Sequence, residues 1–328
     1  MTIGTVGTNF IVDAFIQAAA KTGGAEICAC YSRSKETAAA FAEKHRIPRW
    51  YAGRKQFLSD TELDFIYVAA PNSIHFKWTR DALMAGRNVI CEKPFVSKAA
   101  ELGELMAIAK KKTLFLFEAL TTPHLPNFRL LKQKLSEIGT IRLVQMTFSQ
   151  YSSRYDAYLS GKLPNVFNPA FSGGALMDLN YYNLSFLQRL FGSPLEIRYF
   201  ANKGESGIDT SGILILRYDG FIASASAAKD SESRNYIQIQ GEKGYLASIS
   251  TAGGLHSGFS LVTKEKTEVF NIQEHENVLY YELMDFIEEW NAGDPACCDT
   301  PLRNSLETAL LMDQARKDSK IIFEADKL

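Results

Sequence analysis

The first third of the chain alternates short apolar runs with segments of helical periodicity. Apolar runs at residues 2–6, 26–31, 65–70, 88–91 and 114–117 predict strands, with a short strand at 49–51. Between them, residues 10–21 predict a helix that ends at Gly23, and Ser34 is a suitable N-cap for an Ala-rich helix that ends near residue 45. Residues 57–59 fit a helical turn. This alternation predicts a doubly wound parallel sheet with crossover helices.

The pattern changes after about residue 120. A helix is predicted around residues 127–135, followed by strands at 143–149, 196–202, 213–218, 222–227 and 236–240. Turn signals such as Asp219-Gly220 separate successive strands, which is typical of antiparallel pairing. The sequence therefore predicts two domains: 1–120, with the parallel sheet, and 121–328, an α+β domain with a large, mostly antiparallel open sheet.

Composition narrows the function classes. The 328 residues are 46% hydrophobic, and 36 Lys and Arg balance 37 Asp and Glu, so neither nucleic acid nor an anionic membrane is expected as a partner. The five cysteines are odd in number and lack zinc-site spacing, so we expect neither disulfides nor a metal. With no signal-like N-terminus and no long apolar run, a cytoplasmic protein with a small-molecule substrate is expected.

The first predicted strand leads into TVGTNFIV, which resembles the dinucleotide-binding pattern G-x-G-x-x-G/A. Gly7 takes the first glycine position, but Asn9 takes the second and Val12 the third. Asn tolerates left-handed backbone angles better than most residues. We therefore expect Asn9 to keep the geometry of the turn while its side chain narrows the approach of the pyrophosphate.

The end of the second predicted strand bears on the choice of cofactor. An acid at this position selects NAD by binding the ribose 2′-hydroxyl. Here the sequence has Ser32 and Arg33 instead, and a hydroxyl with a permanently charged guanidinium suits a 2′-phosphate. NADP is therefore favoured, with NAD possible. The alternative is that Arg33 is a solvated surface residue.

Four motifs follow in order: VAAPNSIH at residues 68–75, CEKP at 91–94, EALTTPHLP at 118–126 and GGALMDLNYY at 173–182. In this order and on this predicted fold, they resemble the glucose-fructose oxidoreductase and inositol dehydrogenase family (Gfo/Idh/MocA) over essentially the whole chain. The tyrosine at position 182 resembles the branch of dimeric dihydrodiol dehydrogenases and NADP-dependent sugar dehydrogenases. The resemblance implies a Rossmann-like first domain.

The resemblance also implies roles for individual residues. Lys93 is expected to reach the substrate carbinol, Pro94 to follow a cis peptide, and Glu92 to contact the cofactor or orient Lys93. Asp178 and Tyr182 lie at i and i+4, so they share a face if residues 175–190 form a helix. Substrate holding by Asp178 and proton transfer by Tyr182 are then expected. The alternative is that Asp178 complements the helix dipole and Tyr182 only packs.

The catalytic candidates are thus Lys93, Asp178 and Tyr182. The cofactor candidates follow the predicted strands of the first domain, although His75 is equally suited to a structural hydrogen bond. They are Gly7, Thr8, Asn9, Phe10, Ile11, Ser32, Arg33, Ala70, Pro71, Asn72, His75, Glu92, Lys93 and Pro94.

Together with these residues, the resemblance implies an NADP(H)-dependent oxidoreductase that moves a hydride between the nicotinamide and a carbinol or carbonyl carbon of a sugar, polyol or trans-dihydrodiol. Two alternatives stay open: an NAD-dependent glycoside hydrolase of the same family, and a non-catalytic NADP-binding sensor. The consecutive strands of the second domain leave one sheet face bare, which predicts a homodimer packed sheet to sheet.

Overall fold

The computed structural model describes residues 1–327, which divide into two compact units. The first unit comprises Met1–Val96, Ala100–Ala119 and Asn277–Leu306, and the second comprises Ser97–Ala99, Leu120–Glu276 and residues 307–327. The prediction that residues 121–328 form one domain is therefore wrong for the segment Asn277–Leu306, which returns to the first unit.

The first unit contains a six-stranded parallel sheet in the order β3-β2-β1-β4-β5-β6. The order reverses direction beside β1, as in doubly wound dinucleotide-binding folds. The predicted central strand is indeed buried along its whole length. The strands are β1 (Thr2–Val6), β2 (Glu26–Tyr31), β3 (Arg49–Tyr51), β4 (Phe65–Val68), β5 (Asn88–Glu92) and β6 (Leu116–Ala119).

The helices begin and end where local chemistry allows. Ser34 caps its helix by accepting from the N–H of Thr37, and Gly23 ends the first helix in the left-handed conformation at φ 66°. The helices are α1 (Phe10–Thr22), α2 (Lys35–His45), α3 (Arg54–Leu58), α4 (His75–Met84), α5 (Ala99–Lys112), α6 (Pro126–Lys134), α7 (Tyr155–Leu159), α8 (Tyr181–Phe191), α9 (Leu279–Ala292) and α10 (Asp299–Asp318).

Aromatic packing explains why the late segment joins the first unit. Helix α9 packs against α1, and its Phe286 stacks on Phe117 of β6 with ring centroids 4.5 Å apart. Trp290 meets Phe65 and Phe115 edge to face, each at 5.2 Å. Buried aromatic pairs add specific geometry to the large apolar area that they remove from water. Sequence periodicity does not reveal these long-range partners.

The second unit contains an eight-stranded sheet in the order β14-β13-β12-β11-β7-β10-β9-β8. Its pairs are antiparallel except for β7 with β10, so the prediction of a mostly antiparallel sheet is confirmed. The last three strands were not predicted. The strands are β7 (Ile141–Ser149), β8 (Glu196–Lys203), β9 (Asp209–Arg217), β10 (Ile222–Ala228), β11 (Tyr236–Gly241), β12 (Gly244–Ser248), β13 (Phe259–Thr263) and β14 (Thr267–Phe270).

One face of this sheet is covered and the other is open. Leu214 and Leu216 of β9 are fully buried, whereas Ile213, which points to the opposite face, is 46% exposed. Phe200 lies beside Ile213 in the strand register and is 68% exposed. Helix α8 packs against β7 within the same unit. No helix within residues 1–327 is long and apolar enough to cross a membrane.

Candidate active site

The predicted cofactor residues lie together at one edge of the parallel sheet. They follow β1, β2, β4 and β5, which are adjacent in the order β2-β1-β4-β5. Because all strands are parallel, their carboxyl ends meet at one edge, and this is where ligands bind in open α/β sheets. The structure therefore gathers these loop residues as the sequence predicts, although their contacts with a cofactor stay a prediction.

The turn after β1 requires glycine at position 7 for two reasons. Gly7 has φ 114°, and a β-carbon there would lie 2.5 Å from the carbonyl oxygen of Ala69. Asn9 does not adopt the left-handed angles expected from the sequence: it is extended, with φ −93° and ψ 176°. That expectation is wrong because Gly7 alone supplies the positive φ of this turn.

The side chain of Asn9 has two structural partners. Its Oδ1 accepts from the N–H of Val12 at 3.3 Å, which makes Asn9 the N-cap of α1. Its Nδ2 donates to the carbonyl oxygen of Ala69 at 2.9 Å. Asn9 therefore fastens the turn to the end of β4.

These features fit the phosphates of a dinucleotide. The first backbone N–H groups of an α-helix have no acceptor within the helix, so the start of α1, directly after the Gly7 turn, can bind an anion. Thr8 and Ile11 are half-buried, and Phe10 is 81% exposed. The turn thus provides backbone N–H donors at the start of α1 and, in Gly7, a residue without a side chain that would obstruct the pyrophosphate.

The end of β2 fits a 2′-phosphate. The N–H of Ser32 donates to the carbonyl oxygen of Tyr51 at 3.1 Å, which fixes the backbone, and its side chain is half-buried. Arg33 is exposed. Both residues precede the N-terminus of α2, which adds the positive end of a helix dipole. An acid that would select a free ribose hydroxyl is absent from positions 31–34.

His75 connects the loops that follow β4 and β5. It is 1% exposed, and its Nε2 and Nδ1 lie 2.7 Å from the carbonyl oxygen of Ala70 and 2.9 Å from that of Pro94. Burial lowers the pKa of His75, and the charge of Lys93 lowers it further, while the two carbonyl contacts oppose this. Pro71 and Asn72 begin the short 3-10 helix in the loop between Ala70 and His75.

The loop after β5 has the cis Lys93–Pro94 peptide that the resemblance implies. Lys93 is half-buried, and Glu92 before it is 7% exposed. Glu92 accepts a hydrogen bond from the hydroxyl of Tyr67 at 2.6 Å, inside the first unit. Burial raises the pKa of Glu92 to about 7, against the hydrogen bond from Tyr67 and the charge of Lys93.

Two further buried glutamates, Glu282 and Glu118, interact electrostatically with Glu92, and no motif in the sequence points to them. Glu282 of α9 is fully buried, and neither carboxylate oxygen has a hydrogen-bond partner. Burial raises its pKa well above the usual range, and the charges of Glu92 and Glu118 add to this. Glu118 of β6 is 8% exposed and accepts from Ser305. A carboxyl group without a partner is stable in such surroundings only when it is protonated.

Asp178 lies on a π-helical turn, Leu176–Asn180, which runs directly into α8. The prediction of one α-helix over residues 175–190 is therefore wrong at its start. The wider π-turn changes the angle between successive side chains, so the α-helical i, i+4 rule does not apply between Asp178 and Tyr182. Single π-turns of this kind occur frequently at functional sites.

Lys229 lies beside the predicted site residue Asp178, and no motif in the sequence points to it. Its ammonium pairs with Oδ2 of Asp178, and its side chain is 7% exposed, whereas that of Asp178 is 35% exposed. Lys229 directly follows β10, whose residues are mostly small. The sequence shows only a lysine directly after a strand of small residues. Its partner, Asp178, is revealed by the structure alone.

The double glycine of the GGALMD motif accommodates a second acid. Asp209 of β9 is 1% exposed; its Oδ2 accepts from the N–H of Leu176 at 2.6 Å and from the hydroxyl of Tyr199 at 2.7 Å. A β-carbon on Gly174 would lie 2.1 Å from Oδ1 of Asp209, and one on Gly173 would lie 2.5 Å from a backbone carbonyl oxygen. Gly174 therefore leaves room for Asp209 to bind the first residue of the π-turn, and Gly173 leaves room for the backbone of Val166. Burial raises the pKa of Asp209 to about 6.

The ring of Tyr182 is held between two neighbours. Phe148 lies on one side, with ring centroids 5.8 Å apart, and Gly253 lies against its Cδ1 and Cε1. The loop containing Gly253 is fixed by hydroxyl groups of the EALTTPHLP motif. Thr121 donates to the carbonyl oxygen of Gly253 at 2.6 Å, and Thr122 donates to that of Ala252 at 3.0 Å.

Comparison with known proteins agrees with this arrangement. Residues 1–120 match the family model described as "Oxidoreductase family, NAD-binding Rossmann fold", and residues 128–247 match the GFO/IDH/MocA C-terminal domain. The scyllo-inositol 2-dehydrogenase (NADP(+)) IolU of Bacillus subtilis is 35% identical over 322 residues, 98% of each chain. The trans-1,2-dihydrobenzene-1,2-diol dehydrogenase of Xenopus tropicalis is 30% identical and covers 75% of this chain and 73% of its own.

A solved structure shares the fold over nearly the whole chain. KijD10, a 3-ketoreductase from Actinomadura kijaniata in complex with NADP and TDP-benzene, superposes with a TM-score of 0.85, covers 97% of each chain and is 22% identical. At this identity the likeness shows the fold alone. With both family models and a full-length relative in agreement, the chain belongs to the Gfo/Idh/MocA oxidoreductase family, whose first domain is an NAD-binding Rossmann fold.

Proposed function

We propose that this protein is an NADP(H)-dependent oxidoreductase that moves a hydride between the nicotinamide and a carbinol or carbonyl carbon of a sugar, polyol or trans-dihydrodiol. The observation that carries the proposal is the carboxyl edge of the parallel sheet. There the Gly7 turn, the pair Ser32 and Arg33, and Lys93 follow neighbouring strands. A cyclic polyol is the first substrate to test, since a relative named scyllo-inositol 2-dehydrogenase (NADP(+)) matches 98% of the chain.

The proposed cofactor residues have separate tasks. The N–H groups at the start of α1 bind the pyrophosphate, with Thr8, Phe10 and Ile11 in that turn. Ser32 and Arg33 bind the 2′-phosphate. The loops of Ala70–His75 and Glu92–Pro94, which His75 joins, contact the nicotinamide side. When bound, NADP supplies the hydride acceptor or donor at its C4 atom.

The catalytic residues are proposed to handle the proton. In the oxidative direction, the carbinol loses a hydride from carbon and a proton from oxygen. Tyr182, acting as the phenolate, is proposed to accept that proton and so to become the neutral phenol. Lys93 is proposed to donate a hydrogen bond to the substrate oxygen, where it stabilises the negative charge that develops. Asp178 accepts a hydrogen bond from a substrate hydroxyl and so fixes the orientation of the carbinol.

One assay separates this proposal from its two alternatives. The purified protein is incubated with NADP and a panel of cyclic polyols, sugars and dihydrodiols, and absorbance is followed at the reduced-nicotinamide band. Steady formation of NADPH supports the dehydrogenase. Cleavage of a chromogenic glycoside without net reduction indicates the glycoside hydrolase, and NADP binding without turnover on either panel indicates the sensor.

We further propose a cytoplasmic homodimer that pairs through the open face of the eight-stranded sheet. Phe200 and Ile213, neighbours in the strand register, are 68% and 46% exposed on this face, as expected for a protein interface. Light scattering at micromolar concentration should give the mass of a dimer. Phe200→Glu should shift it toward the monomer, while Leu159→Glu, at a comparably exposed residue of α7, should not. A monomeric wild type would contradict this proposal.

A further inference from the structure

Lys229 is fixed more firmly than a surface lysine. Its N–H donates to the carbonyl oxygen of Thr210 at 2.8 Å, and its own carbonyl oxygen accepts from the N–H of Ser152 at 2.9 Å. The whole residue is 5% exposed. Holding a long, charged side chain out of water costs free energy unless the charge is paired. The ammonium of Lys229 is therefore held in one position and must be paired with nearby carboxylates.

Two carboxylates share the charge of Lys229, and they differ in what else binds them. Asp209 is fully buried and already accepts from the N–H of Leu176 and the hydroxyl of Tyr199; the charge of Lys229 lowers its pKa, although burial outweighs this. Asp178 pairs directly with the ammonium and keeps about a third of its side chain exposed. Of the two acids, Asp178 is the one that a solute can reach.

Asp209 and Lys229 hold different parts of the same π-turn. Asp209 binds the first residue of the π-turn, Leu176, and so fixes where the turn begins. Lys229 binds the acid in the middle of that turn. Backbone and side chain of the turn are thus fastened by two residues from adjacent strands, β9 and the end of β10.

We propose that Lys229 is a positioning residue for the reaction: its ammonium holds the carboxylate of Asp178 in one orientation and balances its charge, so that Asp178 accepts a hydroxyl of a neutral, polyhydroxylated substrate. This inference rests on the proposed function. An unpaired carboxylate would favour a cationic ligand, whereas a balanced pair leaves a fixed acceptor with little net charge. Such an acceptor suits a substrate with several hydroxyl groups, one of which lies beyond the reacting carbinol.

The test compares Lys229→Met, Lys229→Arg, Asp178→Asn and the double variant Lys229→Met with Asp178→Asn, using NADP and the cyclic polyol that the wild type oxidises best. Lys229→Met should raise KM by about 10–100-fold, the range for loss of a charge-assisted hydrogen bond, with a smaller effect on kcat. Lys229→Arg should recover part of the loss. Because the lysine acts through Asp178, the double variant should be no worse than Asp178→Asn alone.

The same four variants include a control for folding. The double variant removes both members of the Lys229–Asp178 ion pair, so neither is left unpaired, and Asp209 keeps its hydrogen bonds from Leu176 and Tyr199. Its thermal unfolding and NADP affinity should match those of the wild type. A folded Lys229→Met variant with KM within twofold of the wild type would overturn the role of Lys229, as would additive effects in the double variant. A wild type that oxidises no substrate on the panel would overturn the proposed function, and this inference with it, so the two failures are distinguishable.

Discussion

Gly253 lies directly against the ring of Tyr182. A β-carbon at residue 253 would stand 2.8 Å from Cδ1 and 2.9 Å from Cε1 of that ring, closer than real β-carbons approach their neighbours. The backbone of Gly253 is not in the left-handed region, so an alanine there is compatible with the chain itself. The glycine is therefore required by the position of the tyrosine ring, not by the conformation of the loop.

Gly253→Ala should consequently displace the proposed proton-transfer residue without unfolding the protein. A shift of a catalytic group by about 1 Å commonly lowers turnover by about 100-fold, and we expect a fall in kcat of about 10–100-fold with NADP affinity unchanged. Steady-state kinetics and NADP titration measure both. The matched control is Gly103→Ala in α5, where an added β-carbon meets nothing within 4 Å. Full activity of Gly253→Ala would remove Tyr182 from the mechanism.

Arg33→Ala should separate the two nicotinamide cofactors. If Arg33 binds the 2′-phosphate, its loss should weaken NADP by about 1–3 kcal/mol and leave NAD almost unchanged. Dissociation constants from fluorescence titration test this. Arg80→Ala is the control, because Arg80 is half exposed and pairs with the equally exposed Glu104, a contact that contributes little to stability. An equal loss of affinity for both cofactors would contradict the assignment.

The sequence predicted strand bounds and helix caps well where the structure of an element depends on residues within that element. Strands β2 and β3 have the predicted bounds, and Ser34 caps α2 as expected. The family motifs also identified the loops at the carboxyl edge. These features depend on nearby residues, on period-2 or period-3.6 patterning and on backbone preferences that a single segment contains.

The sequence failed where distant residues decide. Lys229, Asp209 and Gly253 reach the proposed site only through strand pairing and loop contacts that no periodicity encodes. The π-turn at Asp178 was equally hidden: its first residue, Leu176, donates its N–H to Asp209, which lies 33 residues later in the sequence. The segment Asn277–Leu306, which contains α9, was placed in the second domain for the same reason: the partners of α9, Phe65 and Phe117, lie more than a hundred residues earlier.

Asn9 provides a further test, with an outcome opposite to the one expected from the sequence. If its side chain only narrowed the pyrophosphate site, Asn9→Gly would tighten NADP binding. The structure instead makes Asn9 the cap of α1 and its tie to Ala69. Asn9→Gly should therefore lower the melting temperature and weaken NADP, because the turn is no longer held in place before binding.

Asn9→Ser separates the effects of the two hydrogen bonds of Asn9, one with the N–H of Val12 and one with the carbonyl oxygen of Ala69. Serine retains a capping oxygen for the N–H of Val12 but cannot reach Ala69, so its effects should lie between those of wild type and Asn9→Gly. Calorimetric titration with NADP and thermal unfolding measure the series. Tighter binding by Asn9→Gly would restore the original interpretation of this residue.

Glu92 should make the stability of the protein depend on pH. Its pKa is about 7 in the folded protein against an ordinary value of 4.5, so the folded state binds this proton more tightly than the unfolded state. The contribution of Glu92 to the free energy of unfolding is fully present below about pH 4.5 and is lost as the pH rises through 7. The shift corresponds to about 3 kcal/mol at 1.36 kcal/mol per pH unit.

Glu92→Gln removes this titration while its amide oxygen still accepts from Tyr67. Relative to wild type, the variant should therefore become more stable as the pH rises from 4.5 to 7.5, and thermal unfolding across that range should show it. Glu104→Gln, an exposed residue of α5, is the control and should follow the wild type. A constant difference between Glu92→Gln and wild type would show that Glu92 does not titrate in this window.

Tyr182→Phe tests the proposed mechanism most directly. Phenylalanine keeps the ring between Phe148 and Gly253 and removes only the hydroxyl, so folding and NADP affinity should survive. Turnover should fall by about 10²–10⁴-fold, the usual contribution of a general acid or base, and Lys93→Met should be at least as damaging. Tyr51→Phe, which removes a hydroxyl bonded to Asp60 at the edge of the first unit, is the control and should retain turnover. If Tyr182→Phe stays within a few-fold of wild type while Asp178→Asn is inactive, the proton passes through Asp178 or Lys93, and Tyr182 is only a wall of the substrate site.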